Sequence, residues 1–208
     1  MATEADPFEA IVLAAGSARR FGGGKLTAAF AGRPLIEGAL AAAFATQARS
    51  VVVVTGADAA SVAEAARAFA GRTGRSDRLR LVHAEDHAEG MGASLRRGVR
   101  ALPADAAGVF VLLGDMPRLP HAVLDDLART VRAGASAAAP VFRGERGHPV
   151  LFGAGLLPQL AALSGDEGAR SILRGLGDRL ALIEAPDDGV LFDVDTPGDL
   201  DAGQASAS

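Results

Sequence analysis

Glu9-Ala10-Ile11-Val12-Leu13-Ala14-Ala15 is a short apolar run that ends directly in glycine, at Gly16. A continuous apolar run of this length, closed by glycine, reads as a strand buried on both faces, the kind found in parallel sheets. The same pattern recurs down the chain. Val51 to Val54 is four valines closed by Thr55-Gly56, Leu79 to His83 is a third run, and Gly108 to Leu113 (GVFVLL) is a fourth. Between them lie stretches with apolar residues at helical spacing: Pro34 to Ala48, Ala57 to Ala70 and Met91 to Arg100, with His121 to Ala133 after the fourth run. Strands alternating with helices define an α/β fold: one doubly wound, mostly parallel sheet with helices on both faces.

The second half is less regular. Ala135 to Val141 and His148 to Phe152 read as strands either side of a polar turn, Arg143 to Gly147. Helical stretches are expected at Leu156 to Leu163 and Gly168 to Leu176. Two last strands, Leu180 to Glu184 and Val190 to Val194, precede a short helix beginning at Pro197, and 201–208 reads as a frayed tail. No linker or repeat divides the chain. We therefore expect one domain over 1–208. In such a sheet ligands bind outside the carboxyl ends of the strands.

Composition narrows the chemistry. The chain has 208 residues, a net charge of −4 and no Cys. Thiolate metal sites, disulfides and Cys nucleophiles are excluded, and an acidic chain is a poor nucleic-acid coat, which needs clustered cations. The start of the chain is acidic rather than signal-like, and no run approaches the roughly 20 apolar residues of a span. A soluble, cytoplasmic protein is expected. Of the 21 basic residues, 20 are Arg and one is Lys25. In a chain that uses Arg almost everywhere, a retained Lys marks a position where a compact ammonium serves better than a planar fork, such as a single phosphate oxygen.

Lys25 closes the loop Leu13-Ala14-Ala15-Gly16-Ser17-Ala18-Arg19-Arg20-Phe21-Gly22-Gly23-Gly24-Lys25. Its glycines and cations suit a polyphosphate wrapped by backbone N–H groups. It is neither a Walker A loop nor a dinucleotide fingerprint. The fourth strand ends at Gly114-Asp115-Met116-Pro117, and the last expected strand at Phe192-Asp193-Val194-Asp195-Thr196-Pro197. Each could be a plain turn or helix cap. Together they supply the paired carboxylates of a metal–triphosphate centre.

The loop resembles the L-A-A-G-x-S-x-R-x-G-x-x-K signature of the nucleotidyltransferase family of molybdopterin-guanine dinucleotide synthases and molybdenum cofactor cytidylyltransferases. The resemblance runs nearly the full chain. It continues through Gly32-Arg33-Pro34-Leu35-Ile36, Gly90-Met91-Gly92-Ala93-Ser94-Leu95-Arg96-Arg97-Gly98, Gly114-Asp115-Met116-Pro117, Gly147-His148-Pro149-Val150-Leu151-Phe152, Gly165-Asp166-Glu167-Gly168-Ala169-Arg170 and Asp193-Val194-Asp195-Thr196-Pro197. Two positions depart from it: Ala18 and Gly92 stand where the family usually has a residue with a hydroxyl or, at position 18, glycine.

The resemblance implies a Rossmann-like nucleotidyltransferase fold, with 1–120 mainly nucleotide-binding and 121–200 mainly acceptor-binding, and transfer of CMP from CTP to the phosphate of molybdopterin, with release of pyrophosphate. The alternatives are GTP as donor, another small phosphate as acceptor, or cofactor delivery without turnover. It implies Mg²⁺, or Mn²⁺, held by Asp115 and Asp195, with Asp193 the alternative second ligand. Arg20 and Lys25 would meet the β- and γ-phosphates. Gly16, Ser17 and Gly22 would offer backbone donors, and Leu13, Ala14 and Ala15 would lie along the nucleoside. The segment from Glu89 to Ser94, including Gly90, would line the base pocket. His148 and Arg170 would face the acceptor. The L-A-A-G form favours CTP over GTP. A transient contact with a molybdoenzyme is implied; contact with nucleic acid or membrane is not. Arg96, Arg97 and Arg118 are expected to be solvated surface, and His83, His87 and His121 are given no role.

Overall fold

The computed structural model describes residues 7–16, 21–166 and 168–200. Strands β1 (Phe8–Ala14), β4 (Val51–Thr55), β5 (Leu79–His83) and β6 (Gly108–Leu113) form where the apolar runs predict them. Between β1 and β4 lie a small hairpin, β2 (Ala29–Phe30) with β3 (Arg33–Pro34), and helix α1 (Ile36–Ala45). Helices α2 (Ala59–Arg72), α3 (Met91–Arg100) and α4 (Leu124–Arg132) follow β4, β5 and β6. Then come β7 (Ala137–Phe142), β8 (Glu145–Arg146), β9 (Val150–Gly153), α5 (Leu157–Leu160), α6 (Arg170–Leu176) and β10 (Leu180–Glu184).

The main sheet runs β10-β7-β9-β6-β1-β4-β5, with β8 paired to the last two residues of β7. β1 is parallel to both β4 and β6, β5 is parallel to β4, and β10 is parallel to β7. β9 runs antiparallel between β6 and β7. The chain winds outward from β1 to β5 and then returns to β6 on β1's other side. That reversal opens a crevice at the carboxyl ends of β1 and β6.

The two-residue period of β1 divides the core. Phe8, Ala10, Val12 and Ala14 pack with α1, α2 and α4, while Ile11 and Ala15 pack with α3, α5 and α6. Both faces are covered, so both sets are apolar. One position breaks the rule. Glu9 is fully buried, where it accepts from Arg49 Nε at 2.8 Å, Ser50 N at 2.9 Å and Ser50 Oγ at 2.6 Å. A buried charge persists only when paired and hydrogen-bonded in this way.

Three expectations need correction. Pro34 does not open a helix: it sits in β3, and the helix begins at Ile36. The helix expected over Leu156 to Leu163 is a 3-10 turn at Ala154–Leu156 followed by the single turn of α5. Val190 to Val194 does not form a strand. Asp188–Val190 is a 3-10 turn, and the chain beyond it is irregular. The reason is visible in the hydrogen bonds. Val190 O accepts from His148 N at 2.9 Å, and Val194 N donates to Asp115 O at 3.0 Å. The segment crosses the edge of the sheet through isolated bonds instead of joining a ladder. A helical turn over 197–200 does follow.

Candidate active site

Asp115 stands one residue beyond Gly114, just past the end of β6, with Gly114 N tied to Leu13 O of β1 at 2.9 Å. Asp193 and Asp195 arrive on the crossing segment. Carboxylate oxygens of Asp115, Asp193 and Asp195 all lie within 4.8 Å of one another. Lys25 Nζ is 2.7 Å from Asp115 Oδ2 and 3.7 Å from Asp195 Oδ1. Among the described residues, the carboxylates of Asp115, Asp193 and Asp195 gather around the Lys25 ammonium. Partial burial first, and then the charges of Asp115 and Asp195, hold the Asp193 carboxyl above the ordinary carboxylate range.

The residues around this centre are fixed by neighbours. Gly22, Gly23 and Gly24 have φ of 81°, 94° and 67°, a run of left-handed conformations that only glycine tolerates cheaply. Gly24 N donates to Asp58 Oδ2 at 3.0 Å, which anchors the loop just before Lys25. Asp199 Oδ2 accepts from Asp195 N, Thr196 N and Thr196 Oγ1, closing the turn that carries Asp195. This is the reciprocal bond of a capping box, with Asp in the place of Glu. Those bonds hold Asp199 below the usual carboxylate range.

Two adjoining cavities open from the centre. The larger, about 720 Å³, is lined by Leu13, Ala15, Gly16, Lys25, Gly90 and Ser94, with Asp115 and Asp195 at one side. Ala14 lines a small recess beside it with Lys25 and Asp58. The second cavity, about 300 Å³, has His148, Arg146, Arg170 and Asp193 on its walls. Leu13, Met91, Leu113 and Asp166 line both. The sequence-predicted residues therefore fall in two adjacent sets. Gly22 lines neither cavity. Ser17, Ala18 and Arg20 lie outside the described residues.

His148 is largely buried. Its Nδ1 has no partner among the described residues. Desolvation drives its pKa down to about 4, against an opposing pull from the Val111 carbonyl and Asp115. The ring is therefore neutral at ordinary pH.

Several residues that sequence reasoning passed over shape the site. Arg118 is not free surface: its guanidinium lies 4.8 Å from the Phe192 ring centroid and bonds Asp188 at 3.0 Å, pinning the crossing segment. Arg96 is likewise a clamp, donating to Asp86 and to Leu163 O at 2.6 Å. Arg97 Nε reaches His83 O at 3.2 Å. His87 and Asp166 line the larger cavity. Gly92 does not keep a spare donor, because its N–H is spent on Gly165 O at 2.9 Å. A Cβ at Gly92 would come within 2.7 Å of that same oxygen. The missing hydroxyl thus follows from close packing of residues 164–166 on the start of α3.

A nucleotide-sized crevice at the switch point of a doubly wound sheet, edged by three acids and a lysine, belongs to the class of nucleotide-transferring enzymes. The chain is a member of the MobA-like NTP transferase domain family, whose model matches residues 10–181. It is 33% identical to the purine catabolism protein PucB of Bacillus subtilis over 92% of this chain and 93% of that one. It is also 33% identical to nicotine blue oxidoreductase of Paenarthrobacter nicotinovorans, over 89% and 91% of the two chains. Among solved structures, Rv0371c of Mycobacterium tuberculosis superposes with a TM-score of 0.81 at 25% identity, covering 97% of this chain and 99% of that one. A structure of Rv0371c in complex with manganese superposes at 0.76 with 24% identity, over 96% and 99%.

Proposed function

We propose that the chain transfers CMP from CTP to the phosphate of a molybdopterin-type acceptor, releasing pyrophosphate. The observation that carries this reading is the pair of adjoining cavities meeting at one acid cluster. The larger has room for a nucleoside triphosphate, and the smaller presents two arginines over an apolar floor. Two anionic substrates thus meet at the edge of β1 and β6. The family membership supports the reaction class. The choice of CTP rests on Leu13-Ala14-Ala15-Gly16.

The reaction forms a bond between an acceptor phosphate oxygen and the α-phosphorus, and breaks the bond from that phosphorus to the oxygen bridging to the β-phosphate. The acceptor oxygen is largely ionised near neutral pH, so the task is approach and charge cancellation rather than deprotonation. Lys25 would leave Asp115 for the triphosphate and follow the charge onto pyrophosphate, with Arg20 assisting. Gly16, Ser17 and Gly22 would donate from the backbone. Ser94 and Gly90 would border the base. Arg170 and His148 would hold the acceptor. The oxygen donor set of Asp115, Asp193 and Asp195 fits a hard divalent cation such as Mg²⁺ or Mn²⁺. The manganese in the Rv0371c structure is consistent with that fit. When bound, such an ion would neutralise charge on the triphosphate.

The test is pyrophosphate release with CTP, GTP, ATP and UTP, each with and without molybdenum-loaded molybdopterin. CTP with acceptor should give the highest kcat/KM. A preference for GTP would move the base assignment and leave the transfer chemistry standing. Release that ignores the acceptor would remove molybdopterin from the reaction.

A further inference from the structure

The smaller cavity combines three chemistries. Its floor, including Val111, Val150, Phe152 and Leu173, is apolar and suits the face of a planar ring. Arg146 and Arg170 on its walls suit an anionic arm. Asp166 stands where this cavity meets the larger one. Among the described residues no ion pair or hydrogen bond engages its carboxylate.

Asp166 is built into place. Gly90 has φ of 119°, and a Cβ there would meet Asp166 Oδ1 at 2.1 Å and Asp166 Cα at 2.8 Å. Two residues on, Gly92 N–H holds Gly165 O, and Gly168 lies against Met91 of α3. The carboxylate is thereby pressed onto the bare backbone at the start of α3. An unpaired carboxylate beside a site for two polyanions repels both. A ligand that brings hydrogen-bond donors to it would offset that cost.

We propose that Asp166 is a specificity-determining residue that accepts two hydrogen bonds from an adjacent pair of N–H donors on the acceptor's planar heterocycle. The assignment rests on the molybdopterin-type acceptor proposed above, whose pterin ring carries such a pair at N3–H and the 2-amino group. Two parallel bonds to one carboxylate give geometric selectivity as well as affinity. A ring that places a carbonyl where the amine stood meets the carboxylate oxygen with oxygen. A site left with an unmatched polar group discriminates strongly against such an analogue.

The probes are 6-carboxypterin and 6-carboxylumazine, which differ by the 2-amino against a 2-oxo group. Binding is read by pterin fluorescence on the full chain, with Mg²⁺ and with and without CTP. The wild-type chain should prefer the pterin by about tenfold or more. Asp166→Ala should bring the two probes within about twofold of each other, and Asp166→Asn should fall between. CTP affinity, measured on the same samples, reports the nucleotide side and the fold. A preference that survives Asp166→Ala overturns the assignment and leaves the pterin acceptor standing. So does a variant whose loss falls on CTP. Failure of the wild-type chain to bind either probe removes the pterin acceptor itself, and Asp166's role with it.

Discussion

Lys25 Nζ lies 2.7 Å from Asp115 Oδ2, so the loop cation and the strand-end acid neutralise each other across the crevice. The same ammonium reaches Asp195 at 3.7 Å. It therefore occupies the carboxylate pair that a divalent cation would need.

Competition between the two cations gives the first prediction. Lys25→Met should raise affinity for Mn²⁺ in the absence of nucleotide by about tenfold, because a repelling charge near the acids is gone. Turnover should fall in the same variant by about 10²-fold or more. Electron paramagnetic resonance of free Mn²⁺ reads the first effect and steady-state kinetics the second. Unchanged Mn²⁺ affinity would mean that the lysine yields its place to the ion at no cost. Lys25→Arg should also lose activity, since a fork cannot fit where a point charge bridges two oxygens, and displacement of reacting groups by about an ångström costs on the order of 10²-fold.

The acids themselves give the second. Asp115→Asn and Asp195→Asn should each weaken Mn²⁺ binding and lower turnover by about 10²-fold. Asp193→Asn should do the same while raising the melting temperature without metal, because it relieves the crowding that keeps its carboxyl above the ordinary range. Titration of each variant with Mn²⁺, alongside thermal melts, checks both halves. An Asp193 variant with wild-type Mn²⁺ affinity would leave Asp115 and Asp195 as the pair.

How far this site was legible in the sequence depends on what kind of bond placed each residue. Asp115 ends a regular apolar strand, so period and position located it. Lys25 was found because it is the only lysine among Arg residues. Asp193 and Asp195 were placed correctly at the edge, yet for the wrong reason: no strand carries them. Isolated bonds such as Val194 N to Asp115 O leave no periodic trace. Arg96 and Arg118 read as solvated surface in the sequence because an arginine's partners lie far away along the chain, with Asp188 seventy positions from Arg118. Asp58 escapes notice for the same reason, since it accepts from Gly24 N, 34 positions away.

His148 supplies a pH prediction. Its folded pKa of about 4 lies below its ordinary value of 6.5, so the folded chain favours the neutral ring. Between those values the unfolded chain binds more protons. Stability from this group is thus complete above about pH 6.5 and is lost as pH falls toward about 4, with a slope of at most about 1.4 kcal/mol per pH unit for one proton. His148→Gln should flatten the acid side of the stability curve measured by urea unfolding. A variant with the wild-type slope between pH 4 and 6.5 would show that other groups set it.

Gly92→Ser restores the hydroxyl that the family usually carries, yet here it should destabilise by about 1–3 kcal/mol, because its Cβ would press on Gly165 O at 2.7 Å. A melt showing equal or greater stability would mean that residues 164–166 yield freely.

The turn after β6 holds both Asp115 and Arg118, and Arg118 grips Asp188 and Phe192 on the stretch that leads to Asp193. Ligand and fastener thus leave the sheet together, three residues apart. Together with the bond from Val194 N to Asp115 O, these contacts tie the crossing segment to the turn, so a tilt of the turn would carry Asp193 along with Asp115 and keep their spacing.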